Sequence, residues 1–184
     1  MNICVFCSAQ KVPEQYRESA RDLGARIARG GHTLIWGGTN RGLMKIVADS
    51  AQEHGARLVG ISMEIIKGKA RKNLDELVVA KDLCERKRIM LERSDVFIVL
   101  PGGIGTLDEM AEMIELKRHR VHHKPLVLLN VGNFYDGIQA QLETMDREGF
   151  FGDLGKDVVE GVEHLIHFNV TPEEAMRYIE SYGN

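Results

Sequence analysis

The sequence predicts an α/β fold, a doubly wound parallel sheet with helices on both faces, built by residues 1–184 as a single domain. Three observations lead there. Short, nearly continuous apolar runs alternate from end to end with segments of helical periodicity, the pattern of strands buried on both sides by crossover helices. Two glycine clusters each follow an apolar run and precede a helical segment. No long linker, internal repeat or low-complexity stretch interrupts the alternation.

Taken in order, Ile3 to Cys7 reads as the first strand. Pro13 then opens a helix whose stripe of Tyr16, Ala20, Leu23 and Ile27 follows helical spacing and stops at Gly30-Gly31, where a left-handed cap is easy. Thr33 to Trp36 is the second strand, and Gly42 to His54 is a helix stopped by Gly55. Leu58 to Ile61 and Leu77 to Ala80 are strands separated by an irregular excursion, Met63 to Glu76. That excursion carries Lys67, Lys69, Arg71 and Lys72 and reads as a solvated loop, with a substrate-facing loop as the alternative. Val96 to Leu100 is the next strand, followed by a helix beginning near Leu107 with the stripe Leu107, Met110, Ala111 and Ile114. Leu126 to Leu129 is the last strand predicted. Phe134, Ile138, Leu142 and Met145 then mark a helix ending at Gly149, and Thr171-Pro172-Glu173-Glu174 forms a capping box for the final one.

Composition narrows the function. Twenty-four basic against 27 acidic residues give a net charge of −3, and no basic block resembles a nucleic-acid arm, so a nucleic-acid partner is not expected. No apolar run reaches the length of a membrane span, so the expected location is the cytoplasm, with no membrane partner. Cys4, Cys7 and Cys84 read as buried, reduced thiols, because Cys4 and Cys7 lie inside an apolar run. His119, His122 and His123 stand among cations and read as an exposed helix end. No metal site is expected.

An anion met by this acidic chain must therefore be met locally. Open parallel sheets bind ligands at the carboxyl ends of their strands, where loops enter helices. Pro101-Gly102-Gly103-Ile104-Gly105-Thr106 sits at such a point. Glycines there let successive N–H groups turn toward one anion, and the helix dipole favours negative charge, which makes a phosphate cradle. Gly37-Gly38-Thr39-Asn40-Arg41-Gly42 enters a helix in the same manner, and Cys7-Ser8-Ala9-Gln10 is a third loop at the same sheet edge. Glu109, three residues after Thr106, has two readings: a capping-box residue, or a carboxylate held one turn from a bound phosphate. Arg86, in Cys84-Glu85-Arg86-Lys87-Arg88, belongs either to a solvated helix face or to the anion site.

Glu85-Arg86-Lys87, the string Pro101-Gly102-Gly103-Ile104-Gly105-Thr106-Leu107-Asp108-Glu109, and Gly37-Gly38 with Gly42-Leu43-Met44 together resemble the Lonely Guy family of nucleoside 5′-monophosphate phosphoribohydrolases. The similarity extends to Cys4-Val5-Phe6-Cys7-Ser8, Lys124-Pro125 through Asn130-Val131, and Glu148-Gly149-Phe150. The resemblance implies a Rossmann-like fold. It also implies hydrolysis of the N-glycosidic bond of a purine nucleoside 5′-monophosphate, AMP or an N6-modified AMP such as a cytokinin riboside monophosphate, to free base and ribose 5-phosphate.

It further implies Arg86 and Glu109 as catalytic residues, and Lys87, Gly38, Gly102, Gly103, Ile104, Gly105, Thr106, Leu107 and Asp108 as substrate-binding. No cofactor is implied, and the expected partner is a second copy, in a homodimer or larger homo-oligomer. Three places depart from the family pattern: Leu83-Cys84 replaces Met-His, Thr39 replaces a third glycine, and Glu115-Leu116 stands where Thr-Trp is common. The last of these motivates an alternative, a carrier that binds a phosphorylated cofactor without turning it over.

Overall fold

The computed structural model describes residues 1–151 and 161–182. Its strands are β1 (Asn2–Phe6), β2 (Thr33–Trp36), β3 (Leu58–Met63), β4 (Glu76–Ala80), β5 (Val96–Val99), β6 (Leu126–Leu129) and β7 (His167–Asn169). All neighbouring pairs run parallel, in the order β4-β3-β2-β1-β5-β6-β7. The helices are α1 (Glu14–Arg29), α2 (Gly42–Glu53), α3 (Leu83–Arg93), α4 (Ile104–Arg118), α5 (Asp136–Arg147), α6 (Val162–Leu165) and α7 (Pro172–Tyr182). The chain winds outward from β1 to β4, returns, and winds outward the other way from β5, so the order reverses between β1 and β5. That reversal opens a crevice at the carboxyl ends of these two strands.

Strand alternation divides the core into two layers. Ile3 and Val5 of β1 join Leu34 and Trp36 of β2 beneath Leu23 and Ile27 of α1, Val47 of α2 and Met176 of α7. Cys4, Phe6 and Phe97 face the opposite layer with Met90 of α3, Met110 and Met113 of α4 and Leu165 of α6. Both faces of the sheet are therefore covered at its central strands, whereas edge strand β4 departs from the expectation for an apolar run and leaves Leu77 and Val79 exposed. Phe6 and Phe97 stack with centroids 5.6 Å apart, and each fully buried side chain of this size contributes roughly 1.5–3 kcal/mol.

Several local expectations change. A seventh strand, β7, is only three half-buried residues long and carries no apolar run by which to see it. Helix α3 was visible only as a charge run. The helix expected near Leu107 starts at Ile104, with Gly103 as its N-cap, and α5 begins at Asp136 rather than Phe134. Part of the excursion after β3 is a 3-10 helix, Glu64–Lys69. Cys84 is exposed, unlike Cys4 and Cys7. His122 is buried: its Nε2 donates to Met113 O at 2.9 Å while Nδ1 accepts from the Lys124 N–H at 3.2 Å, which assigns the neutral tautomer. The capping box at α7 forms as expected, Thr171 Oγ1 accepting from Glu174 N and Glu174 Oε2 accepting from Thr171 N.

Candidate active site

Three loops meet at the reversal point. Ser8, directly after β1, accepts hydrogen bonds at its carbonyl from Leu43 N and Met44 N of α2 and donates its own N–H to Pro101 O beyond β5. One residue thus ties the first, second and fifth strand exits into a single wall. Gly42 makes the tie possible: it has φ +57°, and a Cβ there would collide with the Ala9 carbonyl.

The loops enclose a cleft of about 350 Å³ lined by Cys7 through Gln10, Thr39, Met44, Ile66, Arg86, Gly103 through Thr106, and Glu109. Part of its wall is the start of α4, where the Ile104 and Gly105 N–H groups precede the first hydrogen bond of the helix, Thr106 N to Gly103 O, at a place where an anion is favoured. Another part is an ion pair to Glu109, one turn further along the same helix. Arg86 Nη1 donates to Glu109 Oε1 at 2.6 Å, and Arg86 Nε donates to the Ile61 carbonyl at 2.8 Å. Arg86 is 6% exposed and Glu109 5%. Burial pushes the Glu109 carboxyl above the usual range, with the Arg86 guanidinium pulling against it. A larger groove of about 480 Å³ between α1 and α2 is lined by charges that already have partners, Lys45 paired with Asp49 inside it and Arg17 paired with Glu14 beyond it.

Neither Glu109 nor Arg86 takes its purely structural reading. Glu109 does not cap its helix: Thr106 N donates to Gly103 O, and the Glu109 carboxylate turns inward to Arg86. Arg86 is not on a solvated face, since α3 delivers it under the sheet edge. Of the residues expected to bind substrate, Gly103, Ile104, Gly105 and Thr106 line the cleft. Gly102 precedes them in the same loop, and Leu107 packs partly buried against the core. Gly38, with φ +71°, lies on the backbone turn behind Thr39.

Lys87 is placed differently from the expectation. Its ammonium is held by Asp108 Oδ2 at 3.0 Å and by Glu112, and it does not line the cleft. Asp108 shares that pair rather than facing the cleft. Glu115 points outward, paired with Arg118 and His119, and Leu116 packs on the core, so the departure at these two positions lies away from the cleft walls.

Sequence reasoning does not single out Ile66 and names Met44 only within the Gly42-Leu43-Met44 string, yet the two supply the apolar side of the cleft. Ile66 comes from the 3-10 helix of the excursion, so that segment is in part cleft-facing. Its return is anchored by Arg71, which donates its N–H to Gly38 O and pairs its guanidinium with Asp49. No group of metal-ligating side chains occurs among the described residues, and no helix among them is long and apolar enough to cross a membrane.

A family model described as possible lysine decarboxylase matches residues 44–179. The chain is 38% identical over 150 residues to a cytokinin riboside 5′-monophosphate phosphoribohydrolase of Mycobacterium tuberculosis, covering 80% of each chain. It is 31% identical over 184 residues to an Arabidopsis thaliana protein of the same name, covering 98% of this chain and 82% of that one. In fold it is similar to the molybdenum cofactor binding protein of Rippkaea orientalis, with TM-score 0.76, 23% identity, and coverage of 100% of this chain and 97% of that one. The switch-point cleft with its inward ion pair and glycine entry is thus set in a chain that, by the extent of these matches, belongs to the Lonely Guy family, the group covered by the possible lysine decarboxylase model.

Proposed function

We propose that this chain hydrolyses the N-glycosidic bond of a purine nucleoside 5′-monophosphate, AMP or an N6-modified AMP such as a cytokinin riboside monophosphate, releasing free base and ribose 5-phosphate. The observation that carries the reading is the buried Arg86–Glu109 pair lining one cleft together with a phosphate-type helix entry. The names borne by the relatives support the substrate class.

In this reading the 5′-phosphate sits on the N–H groups of Gly103, Ile104 and Gly105, and the ribose lies against Glu109. As the C1′–N9 bond breaks, its electron pair leaves with the base and positive charge builds on the ribose. A carboxylate beside it stabilises that charge and takes a proton from the attacking water. The proton Glu109 removes balances the one the departing base acquires. Arg86 holds the carboxylate in place and offers its remaining N–H groups to ribose or phosphate oxygens. Met44, Ile66 and Ile104 give the base an apolar wall.

The same reading has the protein act as a homodimer or larger homo-oligomer in the cytoplasm. Ile104, 82% exposed beside the cleft mouth, supports a second subunit closing the site. The free thiols Cys4, Cys7 and Cys84 suit a reducing compartment. Light scattering and cell fractionation check these two points.

The deciding experiment incubates the protein with AMP and N6-modified AMP and follows base and ribose 5-phosphate by chromatography. Base release that drops by about 10²-fold or more in a folded Glu109→Gln variant is the expected result. Tight nucleotide binding by wild type with no base release would instead select the carrier reading.

A further inference from the structure

The two basic neighbours on α3 divide their labour. Arg86 reaches Glu109, whereas Lys87, 7% exposed, reaches both Asp108 and Glu112. Asp108 directly precedes Glu109, and Glu112 lies three residues after it, one turn along the same helix. Glu109 is thus flanked on α4 by two carboxylates, both answered by one ammonium from α3. We infer that Lys87 is a positioning residue for Glu109: by bridging Asp108 and Glu112 it ties α3 to α4 and neutralises the carboxylates on either side, leaving the Arg86 guanidinium to Glu109. The inference rests on the hydrolase reading for its catalytic meaning, and on geometry alone for the charge arrangement.

The groups that face Glu109 are few. From α3 come Arg86 and Lys87 and from its own helix comes Asp108, while Glu112, one turn along that helix, is the second acceptor of the Lys87 ammonium. From β1 and its exit come the thiols of Cys4 and Cys7, both pushed up by burial and also by the Glu109 charge, so they face it uncharged. Arg86 and Lys87 therefore set two positive charges against three carboxylates. Removing Lys87 leaves one guanidinium against all three. Asp108 and Glu112 then act on Glu109 unanswered, which favours its protonated form and loosens its hold on Arg86. Burial pulls the Lys87 ammonium down, yet its hydrogen bonds to Glu112 and Asp108 leave it above the usual lysine range, so the bridge stays charged across the working pH.

The test reads Glu109 directly. Carboxyl-¹³C glutamate labelling, with the Glu109 signal assigned by its loss in Glu109→Gln, gives the titration midpoint with or without turnover. Lys87→Met is expected to raise that midpoint by about one pH unit, and Lys87→Met/Glu112→Gln to bring it part of the way back. Should the lysine variants fail to fold, Asp108→Asn, at a half-exposed position, is expected to lower the midpoint. An unchanged midpoint in folded Lys87→Met, no return in the double variant, or an unchanged midpoint in Asp108→Asn overturns the inference. Wild type that releases no base would sink the hydrolase reading while leaving this titration to decide the role of Lys87.

Discussion

Arg86 and Glu109, 23 residues apart in sequence, meet at 2.6 Å with both side chains shut away from solvent. The guanidinium uses its fork: Nε satisfies the Ile61 carbonyl while Nη1 holds the carboxylate. A lysine ammonium at this position is a point charge on a flexible stem and cannot span both acceptors in one plane. Arg86→Lys is therefore expected to fold and to lose about 10²-fold in kcat/KM, read from base release at saturating and limiting substrate. Near-wild-type activity would show that charge alone suffices there.

Gly37 is required by Arg86. A Cβ at residue 37 would collide with Arg86 Nη2 and stand 2.9 Å from Met44 Cε. The Arg86 head group is pinned at two atoms, so it yields only by leaving Glu109. Gly37→Ala is expected to lower kcat by about 10-fold or more with only a small change in thermal midpoint. An equally active Gly37→Ala variant would mean that the pair is looser than its geometry implies.

Tyr135 braces the glycine entry from below. Its phenol donates to Leu100 O at 2.9 Å, and its backbone N–H is fixed by Asn130 Oδ1 at 2.7 Å. Burial pushes the phenol up, beyond any physiological pH, so it remains a donor. Tyr135→Phe strands a buried carbonyl next to Pro101 and is expected to cost about 1–3 kcal/mol of stability. It should also raise KM for the nucleotide more than it lowers kcat, because in the proposed mechanism the disturbed loop holds the phosphate rather than the reacting carbon. A change confined to kcat would place Tyr135 elsewhere in the chemistry.

The strands from β1 to β6 and the glycine entries are legible because each is written in contiguous residues: burial on both faces demands an unbroken apolar run in the central strands, and a close anion approach demands small residues in a row; β4 carries such a run although Leu77 and Val79 are exposed. β7 is not legible, since Phe168 is the sole apolar residue of its three. The ion pair was only half legible. Glu85-Arg86-Lys87-Arg88 reads as one charged stretch, yet helical rotation sends Arg86 and Lys87 inward while Glu85 and Arg88 stay at the surface. Nothing local marks which of those cations will be buried, because that depends on Glu109, Asp108 and Glu112 arriving from the next helix. His122 is misplaced in the sequence reading, and Ile66 not singled out, for the same reason: each is positioned by partners distant in sequence, Ile66 by the Arg71 anchor and His122 by Met113 O and the Lys124 N–H.

The pH dependence follows from the direction of the Glu109 shift. Burial raises its folded-state pKa above the ordinary carboxylate value of 4.5, so the proton is held more tightly in the folded chain than in the unfolded one. The stability this proton contributes is fully present below about pH 4.5 and is lost as pH rises through the raised folded value. The proposed mechanism needs the opposite state, the carboxylate. Activity is therefore expected to rise on an acid limb whose midpoint lies above 4.5. Over that same interval the stability of wild type relative to Glu109→Gln, which lacks this titration, should fall. Parallel kcat/KM profiles and urea unfolding curves across the acid range check both. A limb at or below the ordinary carboxylate range, or a relative stability that rises with pH there, would mean that Arg86 outweighs burial at Glu109.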